Sequence, residues 1–308
     1  MQIQLEDRTT LGSALGQILA TLPPETWSSS IMSFTLPTIE CMESLAQVLN
    51  RDCSNSYDQY ISRIDDEICI LTNILRSFHY AASKLVDEAK VMPPILSLLH
   101  RIWPTVKHIA KVLHDHGSIV SSLSDFLKVV VSFNHDVNDI LILKEACDVV
   151  NTIIKDAIDK DYKADVVSPI LNFVEDMVDN FGHLAEKDLI SSSLLDGSAG
   201  NELCQIIQEL VKNSYDVFYM KENRFRSIDD TVPGIFSVLR VSVKRCPYLF
   251  FGLRRSTGEE IFTSSLNAAE LFMDSKQTDV LREAILFLCD TVCIPLYFIS
   301  VDLLCRAQ

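Results

Sequence analysis

The sequence predicts an all-α chain of antiparallel helix pairs stacked one on the next. Three observations predict it. Apolar residues recur at spacings of three and four along nearly the whole chain. Prolines and short polar links cut that pattern into stretches of about 15–25 residues, a good length for packed helices. Glycine is scarce, 9 of 308 residues, too few for the many tight turns of an all-β fold.

In chain order, TLGSALGQILATL (10–22) is the first helix, closed by Pro23 and Pro24. A second runs from Pro24 to Leu49, with Ile31, Phe34, Ile39, Met42, Leu45 and Val48 as apolar positions and a bend expected at Pro37. The link RDCSNS follows. Tyr57 to His79 carries the stripe Ile61, Ile64, Ile68, Leu71, Leu75 and Phe78.

PPILSLLHRIWPTVKHIAKVL (93–113) is the fourth helix. Prolines are tolerated in its first turn, where the N–H groups have no intrahelical partner. Pro104 predicts a bend just after Trp103, and Trp103 is expected to pack beside it. Gly117 is a candidate left-handed cap. Ser118–Phe133, Asp139–Ile158 and Tyr162–Phe181 follow, the last closed by Gly182.

HLAEKDLISSSLLDGSAG (183–200) holds the Gly/Ser cluster and reads as a loop. Helix resumes over Asn201–Tyr219, then after Asp229 or Asp230 up to Pro247, with Pro233 in its first turn. Gly258–Met273 and Gln277–Ile294 are the last units.

A helix pair thus recurs about every 45–60 residues, the pattern of a HEAT or armadillo α-solenoid. The domain reading is one array over 1–308. A non-repetitive helical bundle is the competing architecture. Solenoids shield their ends with polar repeats, and neither end of this chain reads as one, so a piece of a longer array is expected.

Forty-two acidic and 27 basic residues give a formal charge of −15. That argues against a nucleic-acid binder, which should show a basic face, and suits a basic partner. Nine scattered cysteines without a CxxC read as reduced core fillers of an intracellular protein, Cys289 and Cys293 among them. The first ten residues, MQIQLEDRTT, hold no apolar signal region. Residues 284–305 are long and apolar, but Asp290, Pro295 and Asp302 interrupt them, so a buried helix broken at Pro295 is expected rather than a membrane span.

No GxGxxG, GxxxxGK[ST] or GxSxG is present, and no cofactor or metal is expected. His114 and His116 are a weak metal pair. Asp65, Asp66 and Glu67 point in different directions around a helix and read as a solvated face. An enzyme is therefore not expected. Function is expected on surfaces instead. If helices alternate between outer and inner layers, Asp139–Ile158 and Asn201–Tyr219 line the inner, partner-binding side. The candidate residues are Glu145, Asp148, Asp156 and Asp159 on the first, and Glu202, Glu209 and Asp216 on the second.

Three stretches together resemble one family. IWPTVKHIAKVL (102–113) is similar to the Trp-Pro helix of the transportin-3/importin-13 branch of the β-karyopherins. VEDMVDNFG (174–182) and DDTVPGIFSVLRVSVKRCP (229–247) resemble the acidic-aromatic-Gly helix end and the following repeat of that branch, in the same order. The resemblance covers most of residues 10–295 and implies a nuclear transport receptor working in nucleus and cytoplasm. It further implies protein cargo on the concave surface, control by the Ran GTPase, and contact with nucleoporins. It places this chain in the middle-to-late part of a longer receptor. The branch's arginine-rich helix corresponds here to SIVSSLSDFLKVVVSF (118–133), which has Lys128 and no arginine. Phosphate recognition favours arginine's fork, so a general basic cargo is implied rather than a phosphorylated Arg-Ser one. The alternative is a HEAT-repeat scaffold or regulatory subunit outside transport.

Overall fold

Each helix of this chain has one apolar stripe to bury, and the architecture follows from which neighbour buries it. A computed structural model describes residues 5–49, 57–85, 95–133, 140–159, 164–195, 202–222, 231–247, 263, 265–270, 272–273 and 276–292. For 57, 156–159, 188–195 and 217–222 it describes the backbone alone. All regular structure among the described residues is helical. The helices are α1 (Leu5–Ala20), α2 (Trp27–Leu49), α3 (Tyr57–Ala82), α4 (Leu96–Val112) and α5 (Gly117–Ser132). They continue with α6 (Ile140–Asp159), α7 (Ala164–Leu195), α8 (Glu202–Glu222), α9 (Thr231–Arg245) and α10 (Thr278–Val292). A 3-10 turn, Pro24–Thr26, leads into α2.

The chain divides into two compact units, Met1–Ile153 and Ile154–Gln308, with the boundary inside α6. In the first, α1 packs on α3 and α3 on α5, while α2 packs on α4. The two series join where α2 meets α3 and α4 meets α5. In the second, α7 packs on α9 and α9 on α10, with α8 against both α7 and α9. Next-but-one helices are therefore the main neighbours.

The expected stripe of α3 is buried throughout: Ile61, Ile64, Ile68, Leu71, Leu75 and Phe78. Phe78 meets Trp27 edge to face at 5.2 Å and stacks on Phe133 at 6.3 Å, so one aromatic cluster ties α2, α3 and the end of α5. The Trp27 indole N–H, 2.9 Å from the Leu22 carbonyl, keeps its hydrogen bond while the ring is buried. In the second unit Phe236 plays the same part, with Phe272 and Phe287 at 5.9 and 5.8 Å.

The sequence pattern misplaced several details. In α2 the buried stripe is Trp27, Ile31, Thr35, Ile39, Met42, Leu45, Ala46 and Leu49. Phe34 is 54 % exposed instead of buried. Thr35 takes the core position because its hydroxyl donates to the Ile31 carbonyl at 2.7 Å, so no polar atom is left unsatisfied. Helix α4 runs on through Pro104. Pro104 is exposed, and the His100 carbonyl it cannot serve also belongs to an exposed residue, where water can satisfy it. Trp103 beside it is buried, as expected.

Gly117 is not a cap. Helix α4 ends at Val112, Leu113 closes it with an N–H bond of 2.8 Å to Ile109, and Gly117 is the first residue of α5. Gly182 does not close a helix either, and residues 183–195 are not a loop. Helix α7 continues to Leu195 because Phe181 and Ala185 carry its stripe onward. Gly182 is needed for close approach: a Cβ there would lie 2.8 Å from the Cβ of Arg245, at the end of α9. Of the expected loop, residues 196–200 lie outside the described residues. So do Asp229, Asp230, Pro295 and Asp302, and with them the expected cap and break.

Glycine also sets the spacing of α1 and α3. A Cβ on Gly16 would stand 2.3 Å from the Ile74 carbonyl oxygen and 2.8 Å from the Phe78 nitrogen, while one on Gly12 would meet the Ile74 side chain at 3.3 Å and the Ile70 carbonyl oxygen at 3.4 Å, close to ordinary contact. Alanine gains about 1 kcal/mol over glycine inside a helix, but overpacking against backbone costs about 1–3 kcal/mol. Gly16→Ala is therefore expected to lower the urea midpoint, and Gly12→Ala to leave it level or raise it. Equal behaviour of the two variants would refute this packing.

Candidate partner-binding surfaces

Polar side chains bridge the same next-but-one helices that the stripes bring together. Arg8 of α1 reaches Glu67 of α3 at 2.6 Å, and Arg101 of α4 reaches Glu43 of α2 at 3.0 Å. Arg245 of α9 meets Asp179 of α7 at 2.7 Å, and Ser237 donates to Glu175 at 2.7 Å across the same pair. Lys107 of α4 pairs with Glu145 of α6, and Ser122 of α5 donates to Asp65 of α3.

These bridges change how the acidic groups read. Glu67 is not part of a solvated face. It is 3 % exposed and holds the Arg8 guanidinium, since a buried carboxylate needs a cation. Asp65 is engaged by Ser122. Asp66, between them, has its carboxyl pushed above the ordinary range, first by burial and then by the neighbouring Asp65 and Glu67 charges, against the opposing pull of Arg8. The folded state thus binds a proton on Asp66 more readily than the unfolded chain does. That preference stabilises the fold below the ordinary carboxylate pKa and is lost as pH rises through the raised one.

The predicted inner faces are only partly open to a partner. The stripes of α6 and α8 are buried as expected: Leu143, Ala146, Cys147, Val150, Ile153 and Ile154, then Leu203, Ile206, Ile207 and Leu210. On the outward side Asp148, Glu202 and Glu209 are exposed, and Asp216 is half-buried. Glu145 is half-buried and bridged to Lys107. Glu209 lies 3.5 Å from Lys155 of α6, a pair more than half exposed on both sides and so worth little. The side chains of Asp156 and Asp159 lie outside the described residues.

Sequence reading missed a cleft altogether. In the second unit a cleft of about 730 Å³ opens over α9, between α7 and the start of α10. Pro233, Gly234 and Ser237 form its floor, Asn172 and Glu175 one wall, and Lys276 to Asp279 with Arg282 and Glu283 the other. Gly234 lets α9 lie close to α7, with the Leu171 side chain only 3.2 Å from where its Cβ would stand. Glu283 is buried between Arg282 at 2.8 Å and Arg240 at 3.5 Å. The Pro-Gly pair was visible in the sequence, but nothing there said which helices would flank it.

Cys147, Cys204 and Cys246 are buried fillers, and burial pushes the Cys246 thiol well up, which keeps it neutral and inert. Cys289 is exposed, so it is not the filler expected, and Cys293 lies outside the described residues. His114 Nδ1 lies 2.9 Å from the Lys111 carbonyl, an ordinary helix-end contact. Among the described residues no three His, Cys, Asp or Glu side chains are grouped to hold a metal. None of the described helices is long and apolar enough to cross a membrane.

The sequence matches no known protein-family model. It also matches none of the curated proteins with which it was compared.

Asp66→Asn is expected to raise the thermal midpoint at pH 7 and to leave it unchanged at pH 3, where the native side chain is also neutral. A gain of the same size at both pH values would show that charge at this position is not the cause.

Proposed function

We propose that this chain is a HEAT-type α-solenoid that works by binding a basic protein partner, as a nuclear transport receptor of the β-karyopherin kind. The observation that carries the reading is the packing of next-but-one helices. Its polar bridges link residues 38 to 69 positions apart, from Lys107–Glu145 to Ser28–Ser97. That separation is one helix pair, the repeat of a solenoid. The charge of −15 supports a basic cargo, and exposed Asp148 and Glu202 supply carboxylates for it. The Trp-Pro helix and the two later stretches support the transport reading. On it, the receptor moves between nucleus and cytoplasm, meets nucleoporins, and responds to Ran.

The alternative is a HEAT-repeat scaffold, to which the same packing belongs. Co-purification of this chain, and of any longer chain that contains it, with Ran loaded with GTP or GDP separates the two. A receptor favours the GTP form and releases cargo to it, whereas indifference to nucleotide favours the scaffold.

For the partner itself, a Lys/Arg-rich peptide is expected to bind at 50 mM salt and weaken steeply by 300 mM. Asp148→Asn or Glu202→Gln should lower the low-salt affinity severalfold. No binding at low salt would sink the basic-partner reading.

A further inference from the structure

The cleft over α9 mixes donors and acceptors on both walls. On the α7 side stand Asn172, whose amide offers both, and Glu175, fixed by its 2.7 Å bond from Ser237. On the α10 side stand Lys276, Gln277 and Asp279, with Arg282 held against the buried Glu283. First-turn N–H groups of α10 add donors that no carbonyl of that helix can reach.

This lining suits neither a simple anion nor a lone cation. An anion near Lys276 and Arg282 would also face Glu175 and Asp279. A cation near Glu175 would face Lys276 and Arg282. The matching group carries donors and acceptors in alternation along both of its edges and is itself uncharged, with any charge held on side chains that point away from the cleft. An extended peptide does this, because successive residues turn their N–H and C=O groups to opposite edges. The volume lies within the range of ligand-binding clefts.

We infer that this cleft grips an extended segment of the protein partner by its main chain. The inference rests on the reading that the chain binds a basic protein, and it assigns sequence-tolerant affinity to the cleft. Acidic faces elsewhere then supply the preference for positive charge.

The test uses a capped, fluorescent (Gly-Lys)5 peptide and the same peptide N-methylated at every second glycine. Charge is identical, but donors are lost. Binding is followed by anisotropy at 50 mM salt, with the wild-type chain and Asn172→Ala. Asn172 is exposed, so its loss should leave the melting curve unchanged. The expected result is about tenfold weaker binding of the methylated peptide, the effect of one to two lost hydrogen bonds. Asn172→Ala should weaken the unmethylated peptide more than the methylated one. Equal affinities for the two peptides, or no effect of Asn172→Ala, would overturn the cleft assignment while leaving the basic-partner reading standing. No binding of either peptide would overturn both.

Discussion

Burial of one helical stripe by the next-but-one helix is the interaction on which the rest of this structure depends. A helix apolar along one side cannot stand alone in water. Here α1 rests on α3, α3 on α5, α2 on α4, and α7 on α9. Where two such helices meet, their polar flanks are forced together as well. Arg8 then finds Glu67, Arg101 finds Glu43, and Arg245 finds Asp179. The bridges follow from the packing. Their contribution differs with burial: the exposed Arg245–Asp179 pair adds little, whereas Glu67, deep in the unit, would be left as an unpaired buried charge without Arg8.

The same packing governs what is available for function. Carboxylates at helix–helix seams are engaged within the chain, as Glu145 is by Lys107. A carboxylate away from the seams, Asp148, remains at the surface. The count of 42 acidic residues therefore overstates the carboxylates offered to a partner, while the internal ion pairs leave the net charge of −15 unchanged. The cleft over α9 arises from the other side of the same rule. Beside Pro233, Gly234 and Ser237 of α9, the flanking α7 and the start of α10 present polar side chains, and a polar trough lies between them.

Much of the helical plan was legible in the sequence, because period and burial are linked by geometry. The stripe of α3 and those of α6 and α8 could be read residue by residue. What could not be read was pairing in three dimensions. Glu67 looked solvent-facing because its partner Arg8 lies 59 residues away. Gly182 looked like a terminator because a helix-breaking glycine and a close-contact glycine are the same residue in a sequence; only the approach of Arg245 tells them apart. Phe34 looked like core because hydrophobicity alone cannot show that Thr35 satisfies its own hydroxyl one turn back. The cleft needed three helices to be placed before it existed.

Zero-length carbodiimide cross-linking, read by mass spectrometry, tests this helix packing most directly, since it joins only amines and carboxylates already in contact. The structure predicts Lys107–Glu145, between α4 and α6, and Lys244–Asp290, between α9 and α10, as principal products. Cross-links from Lys107 to carboxylates of α1, or from Lys244 to those of α8, in place of these, would contradict the account.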